Sequence, residues 1–349
     1  MNEEENNFNS INNNNNINNN NNNNDNININ SEQKNKKLSK ILLMGKCGVG
    51  KTSMRSIIFA NQAPKDTFVL GYTSEVAETR LKFMGNLIFN LLDCGGQEQF
   101  MKQYFETKRE SIFSKVGVLI FVVEAVKTEK KLEKQDNIED LTYFENCINA
   151  LNEFSPDAKI FVLIHKMDLI KEQNKQKEIF EMKKKELESK SKNFEIKCFA
   201  TSIWESSLYK AWTEIVASLT HNLSSIQESL KNYAIACNAE EVILFEKNTF
   251  LLTCSYSNKK IQDEQRFEKI SHIIEKFKLS CMTMSSNFKS MIIQTRNFTT
   301  YLDKFTKSTY IMVIISDKSP NLELLKLNTK LCRKKFEEKL ALISFDYLM

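Results

Sequence analysis

Glycine is scarce in this chain, with eight residues in 349. Five of them (Gly45, Gly48, Gly50, Gly95 and Gly96) fall in two short segments. Such clustering points to a backbone need, either positive φ or close approach to a ligand. Long apolar runs are also lacking. The longest, residues 116–123, falls well short of the ~20 residues of a membrane helix. The eight cysteines are scattered, with no C-x-x-C pair. They read as reduced thiols of a cytosolic protein, not as a disulfide framework or zinc site. No basic, apolar and cleavage-site sequence opens the chain, Asn2 follows Met1 where myristoylation needs Gly, and no prenylation Cys closes it. Neither secretion nor a direct membrane anchor is expected, so membrane work would need a partner. The net charge of +5, from 49 Lys+Arg against 44 Asp+Glu, is too mild for a nucleic-acid binder.

What is present suits about two soluble domains, with 41% hydrophobic and 27% charged residues. Residues 1–37 are more than half Asn. They predict a disordered tail with too little apolar surface to offset the entropy of ordering; Asn-rich self-association is the other reading. From residue 38 short apolar runs alternate with helical spacing. Strands are predicted at 41–44, 76–83, 87–92, 116–123, 159–164 and 194–199. Helices are predicted after Gly50 and at 97–113, 138–154, 180–191 and 208–223. This alternation predicts an α/β domain over 38–225, a parallel sheet covered on both faces. Residues 226–342 form a second, smaller α+β unit, followed by a tail at 343–349. Its helices are predicted at 226–237, 267–284 and 322–342, and its strands at 242–246, 250–255, 290–294 and 310–315. That order suggests an antiparallel sheet with helices on one face. His272, the unit's only histidine, reads as a helix-surface residue, and no catalytic constellation is visible.

Five elements carry chemistry. Gly45-Lys46-Cys47-Gly48-Val49-Gly50-Lys51-Thr52 matches G-x-x-x-x-G-K-[ST] between a strand and a helix. Its glycines let successive backbone N–H groups turn toward an anion at a helix N-terminus. Lys51 places a point charge on the β- and γ-phosphates, and the Thr52 hydroxyl suits Mg²⁺. Asp93-Cys94-Gly95-Gly96-Gln97 closes a strand. Asp93 can hold Mg²⁺ through water, a Gly N–H can meet the γ-phosphate, and Gln97 can orient an attacking water. Alone the pentapeptide would equally be a strand-end turn; downstream of a P-loop it gains weight. His165-Lys166-Met167-Asp168 follows another strand, and the Asp168 carboxylate can accept two hydrogen bonds from guanine, a pairing adenine cannot offer. Thr201-Ser202 follows the next strand, where a backbone N–H could meet guanine O6. In the loop between Asn61 and Ser74, Thr73 could reach Mg²⁺ by its hydroxyl and the γ-phosphate by its N–H.

With these elements in order the first domain resembles a Ras-like GTPase, and its wording resembles the Rag GTPases. The P-loop helix Lys51-Thr52-Ser53-Met54-Arg55-Ser56-Ile57-Ile58-Phe59 carries that likeness. So do His165 where most small GTPases have Asn, Thr201-Ser202-Ile203-Trp204, and Leu208-Tyr209-Lys210-Ala211-Trp212. Asp93-Cys94-Gly95-Gly96-Gln97 resembles the A/B subclass, since the C/D subclass typically has Phe-Pro at Cys94-Gly95. In the second domain Arg266-Phe267-Glu268-Lys269-Ile270 and Phe277-Lys278-Leu279-Ser280-Cys281 match as well, so the likeness spans residues 38–340.

The resemblance implies GTP or GDP with Mg²⁺. It assigns nucleotide binding to Lys46, Cys47, Gly48, Val49, Gly50, Lys51, Thr52, Ser53, Thr73, Gly96, His165, Lys166, Asp168, Ser202 and Ile203. Thr52, Thr73 and Asp93 would serve the metal, and Gln97 catalysis. It further implies a roadblock-like C-terminal domain pairing with a C/D-type Rag subunit. Other implied partners are a roadblock-protein lysosomal scaffold, TOR complex 1 and a GTPase-activating protein. The implied location is the cytoplasm and, through partners, the lysosomal surface, with the nucleus as a further compartment. Two departures stand out. Cys47 replaces the usual Gly and crowds the γ-phosphate, which predicts slow intrinsic turnover. His165 leaves two roles open, a structural tether to the P-loop or a direct base contact. A nucleotide-stabilised scaffold with negligible hydrolysis and a membrane-trafficking GTPase are the competing readings.

Overall fold

The computed structural model describes residues 39–83, 87–126, 133–220, 223–258, 290–296, 298–316 and 320–341, together with 274, 280 and 284. The Asn-rich tail, the C-terminal tail and nearly all of the helix expected at 267–284 lie outside these residues.

The first sheet has six strands in the order β2-β3-β1-β4-β5-β6. They are β1 (Ser39–Met44), β2 (Val76–Phe83), β3 (Leu87–Cys94), β4 (Val116–Glu124), β5 (Lys159–His165) and β6 (Ile196–Thr201). All pairings are parallel except β2 with β3, so the expected parallel sheet carries one antiparallel edge strand. β2 and β3 lie three residues apart in the sequence and pair antiparallel, which needs no crossover helix.

Alternation along β1 shows why both faces are covered. Ile41 and Leu43 join one apolar cluster with Met54 and Ile57 of α1 (Lys51–Phe59) and Trp212 and Ile215 of α6 (Ser207–Ala217). Leu42 and Met44 face the other side. There they meet α2 (Glu98–Glu106), α3 (Arg109–Phe113), α4 (Glu133–Phe154) and α5 (Gln173–Lys190). Continuous apolar strands with this two-sided burial are the signature of a covered parallel sheet. Several helix bounds differ from expectation, with α4 beginning at Glu133 in place of 138 and α5 at Gln173 in place of 180. The helix expected at 97–113 breaks at Thr107 and Lys108, whose N–H groups both turn back to Gln103 O, at 3.1 and 2.9 Å. The helix expected at 208–223 ends at Ala217, where Leu219 and Thr220 close tight turns onto Val216 and Ala217.

The second sheet is wholly antiparallel, in the order β8-β7-β11-β10-β9. Its strands are β7 (Glu241–Glu246), β8 (Leu252–Ser257), β9 (Ser290–Gln294), β10 (Thr299–Lys304) and β11 (Thr309–Ile315). β10 escaped the sequence reading because it opens Thr-Thr and carries few apolar residues. Nevertheless Thr299, Thr300, Tyr301 and Leu302 are all buried between two partner strands.

One face packs on α7 (Leu223–Ala236) and α8 (Leu322–Ala341) through Val242, Leu244, Ile311 and Val313. The opposite face is buried as well. Ile243, Phe245, Leu302, Met312 and Ile314 cluster there with Ile274, a helical residue. Apolar residues on both sides of β7 and β11 thus correct the expectation of helices on one face only. A single apolar cluster runs from Trp212 and Ile215 to Tyr233, Phe305 and Phe336, so the two sheets share a core.

Candidate functional site

Four strand ends build the site. β1 runs into residues 45–50, β3 ends at Asp93-Cys94, β5 at His165 and β6 at Thr201. All four are carboxyl ends of mutually parallel strands. The chain order reverses on either side of β1, the place where open α/β sheets hold ligands.

The loop after β1 is shaped by glycine. Gly50 caps α1 at φ 99°, in the left-handed region, and a Cβ there would lie 3.1 Å from His165 Cδ2 and 3.2 Å from Nε2. Beyond it the first N–H groups of α1 lack helical partners and are available to an anion. Lys51 Nζ donates to Gly45 O (2.7 Å) and Lys46 O (2.8 Å), leaving one of its three hydrogens for a ligand. Burial lowers the Lys51 ammonium pKa, opposed by Asp93. Such a buried cation is well matched to a phosphate.

A cavity of about 470 Å³ opens here, within the ~300–1,000 Å³ usual for small-molecule sites. Cys47, Gly48, Gly50, Lys51, Thr52 and Ser53 line it from the P-loop side, Thr73 and Gly96 from two facing loops, and His165, Lys166, Asp168 and Ile203 from the far end.

Three hard oxygen donors converge at the α1 end. Thr52 Oγ1 lies 2.6 Å from Thr73 Oγ1 and donates to Asp93 Oδ2 at 2.8 Å. Asp93 is fully buried, and its Oδ1 has no hydrogen-bond partner among the described residues. Burial pushes its carboxyl above the usual range, opposed by the Thr52 hydroxyl, Lys51 and Arg55. A buried carboxylate oxygen without a donor, beside two hydroxyls, fits Mg²⁺.

The other end is organised around Asp168. Ser202 Oγ donates to Asp168 Oδ1 at 2.5 Å and accepts the Trp204 N–H at 3.1 Å. Lys166, at φ 62°, donates from Nζ to Gly48 O at 2.8 Å and pairs with Glu124, tying this end to the P-loop. His165 Nδ1 lies 2.9 Å from Thr201 Oγ1, its register partner on β6. The ring is buried, and burial with the neighbouring Lys166 lowers its pKa to about 4. A neutral imidazole packed on Gly50 fits the tether role, while its place in the cavity lining keeps the base contact open.

Some expected residues lie elsewhere. The Lys46 side chain pairs with Glu139 at 2.6 Å on α4. The Val49 side chain joins the core. Ser202 is buried behind Asp168 and does not line the cavity. Gln97 is not brought to it either, and its Oε1 accepts from Gln99 Nε2 at 3.4 Å. Gly96 sits hard against the P-loop, its carbonyl taking the Cys47 N–H at 2.9 Å. A Cβ at Gly96 would lie 2.2 Å from Lys46 C and 2.3 Å from Cys47 N, so this glycine is required by space. Sequence reasoning missed the cavity rim, where Phe68, Tyr72 and Leu169 stand with Trp204. Phe68 and Trp204 approach to 6.0 Å between ring centroids. Exposed aromatics in polar loops were the only available signal.

Residues 40–274 match the family model described as the Gtr1/RagA G protein conserved region. Ras-related GTP-binding protein A of Dictyostelium discoideum is 44% identical over 299 residues, covering 86% of this chain and 97% of that protein. Ras-related GTP-binding protein B of Rattus norvegicus is 42% identical over 327 residues, covering 86% and 85%. Ras-related GTP-binding protein C of Homo sapiens is more distant, 25% identical over 295 residues, covering 80% and 71%. The chain belongs to the Gtr1/RagA family of G proteins.

Proposed function

We propose that this chain is an A/B-type Rag subunit that binds GTP or GDP with Mg²⁺ at the cavity above β1 and hydrolyses GTP. The carrying observation is that one cavity joins the P-loop cradle, the hydroxyls of Thr52 and Thr73 with Asp93 buried behind Thr52, and a propped carboxylate at Asp168. Together these suit the phosphates, the metal and the guanine edge of a single ligand. The A/B assignment draws on identities of 40–44% to proteins named A, B or Gtr1 against 25–28% to proteins named C or Gtr2.

The division of labour follows. P-loop N–H groups and Lys51 hold the phosphates, and Asp168, oriented by Ser202, accepts from the guanine N1–H and exocyclic amine. Thr52 and Thr73 would hold Mg²⁺ directly and Asp93 through water. Bound Mg²⁺ would neutralise charge on the β- and γ-phosphate oxygens. Gln97 would orient the attacking water after swinging from its contact with Gln99. The test is titration calorimetry with Mg²⁺ present. GTP should bind and ATP should bind far more weakly, by a factor of about 10⁴ or more; ATP preferred over GTP would overturn the assignment.

The second unit we take as a roadblock-like dimerisation domain pairing with a C/D-type subunit. The support is its five-stranded antiparallel sheet packed on helices and the family's resemblance. In this reading the pair sits on a roadblock-protein scaffold at the lysosome and signals amino-acid sufficiency to TOR complex 1. Affinity purification of the full chain tests it, since a C/D-type chain should co-purify. One observation favours a second reading, a nucleotide-stabilised scaffold with negligible hydrolysis: Cys47 lines the cavity where Gln97 does not. Single-turnover assays with candidate activating proteins separate the two. Stimulated hydrolysis that disappears in Gln97→Leu excludes the scaffold.

A further inference from the structure

Between the oxygen cluster and β2 lies a residue in an uncommon conformation. Glu75 has φ 62°, the left-handed region that a side chain other than Gly, Asn or Asp seldom adopts. Such conformations persist where surrounding contacts over-determine them. Glu75 has three. Its carbonyl accepts the Gly95 N–H at 2.5 Å and the Tyr104 hydroxyl at 2.6 Å, and its carboxylate pairs with Lys108. Two residues upstream, Thr73 meets Thr52 at 2.6 Å. Directly downstream of Gly95, Gly96 bonds the P-loop, and Gln97 caps α2. The Glu75 carbonyl is thus the point where the two loops flanking the phosphate end of the cavity are joined. Contact there is close: a Cβ on Gly95 would lie 2.8 Å from both Glu75 O and Thr73 O. Tyr104 is fully buried in α2, and burial raises its phenol pKa, so its hydroxyl stays a donor.

We propose that Tyr104 is a positioning residue whose hydroxyl, through the Glu75 carbonyl, binds the Thr73 loop to the Gly95–Gln97 segment and so favours triphosphate over diphosphate. The inference rests on the guanine-nucleotide reading above. The reasoning is one of differential affinity. A ligand favours an arrangement only by the contacts it makes there and not elsewhere. Thr73 beside Thr52 and Asp93 is the arrangement a Mg²⁺-bound terminal phosphate would contact, whereas the base would lie at Asp168 and the inner phosphates at the P-loop. Weakening the junction therefore loosens the γ-phosphate end and leaves the P-loop and Asp168 contacts intact.

Equilibrium titration of the full chain with GDP and with GTPγS, both with Mg²⁺, tests this in Tyr104→Phe, which keeps the buried ring and removes one neutral hydrogen bond. The expected result is a 5- to 10-fold loss of GTPγS affinity, with GDP affinity changed less than about twofold. A hydroxyl that merely fills the core would shift both nucleotides alike or neither, and either result overturns the proposal. Glu75→Gly accepts the left-handed φ and keeps the carbonyl, so its GTPγS-to-GDP ratio should stay within about threefold of wild type. Collapse of that ratio would place the junction in the Glu75–Lys108 ion pair and overturn the role given to Tyr104. Amide exchange in the wild-type chain provides a readout independent of any variant. Residues 73–75 and 95–97 should slow together on GTPγS and not on GDP, and independent behaviour overturns the coupling. A wild-type chain binding neither nucleotide would remove the functional reading and this inference with it. Binding of both, with an unchanged ratio in Tyr104→Phe, would remove this inference alone.

Discussion

Replacing His165 with asparagine should remove a specific acid sensitivity. The imidazole is 1% exposed, packed against Gly50 and bonded to Thr201. Burial and the Lys166 charge lower its pKa to about 4, whereas in the unfolded chain it titrates near ~6.5. The unfolded state therefore binds the proton first as pH falls. Above about pH 6.5 the ring is neutral in both states and costs nothing. Between roughly 6.5 and 4 stability drains away, by about 1.4 kcal/mol per pH unit. The loss is about 2 kcal/mol by pH 5 and about 3 kcal/mol when complete. In a domain of 150–250 residues 2 kcal/mol corresponds to about 4–8 °C in Tm. Asparagine can bond to Thr201 and does not titrate in this range. Thermal melts of the nucleotide-free chain at pH 7, 6 and 5 should show a wild-type curve falling more steeply than that of His165→Asn. Parallel curves would mean that the folded-state ring charges as readily as the free one, and the tether argument would fail with it.

Three further outcomes are expected. Asp168→Asn should move base preference from guanine toward xanthine, because the amide donates where the carboxylate accepted; competition binding with GTP and XTP reads this. Gly96→Ala should impair GTPγS binding and hydrolysis far more than GDP binding. Its methyl meets backbone atoms at 2.2–2.5 Å and must lift the Gly95–Gln97 segment; parallel titrations and a phosphate-release assay check it. Trp212→Ala should cost about 3–5 kcal/mol. This ring is fully buried, 5.0 Å edge-on from Phe59, and belongs to the cluster shared by both sheets. Urea denaturation should show fluorescence and circular-dichroism midpoints falling together.

The nucleotide-facing elements were legible because their chemistry is local. A phosphate cradle needs its glycines, lysine and threonine at fixed spacing, so Gly45 to Thr52 declares itself in eight consecutive residues. The alternation of apolar runs that places β1, β4 and β5 is equally local, since a strand buried on both faces must be apolar throughout. The places where the reading slipped depend on neighbours distant in sequence. β10 is a strand because β9 and β11 pair with both its edges, and its Thr-rich opening gives no sign of that. Ser202 reaches Asp168 through its side chain, a contact set by packing between the ends of β5 and β6 and written in neither segment alone.

Sequence by itself therefore determined the phosphate-binding motif, the alternation of strands and helices in the first domain and the family resemblance, all written in short contiguous motifs. Tertiary structure alone decided three things: that Asp93 Oδ1 is buried without a donor, that His165 is neutral against Gly50, and that Glu75 is pinned between two loops. Each arises from groups tens of residues apart meeting where water is excluded. Burial and partnership, which set charge state and backbone strain, are properties of that meeting and not of any segment of the chain.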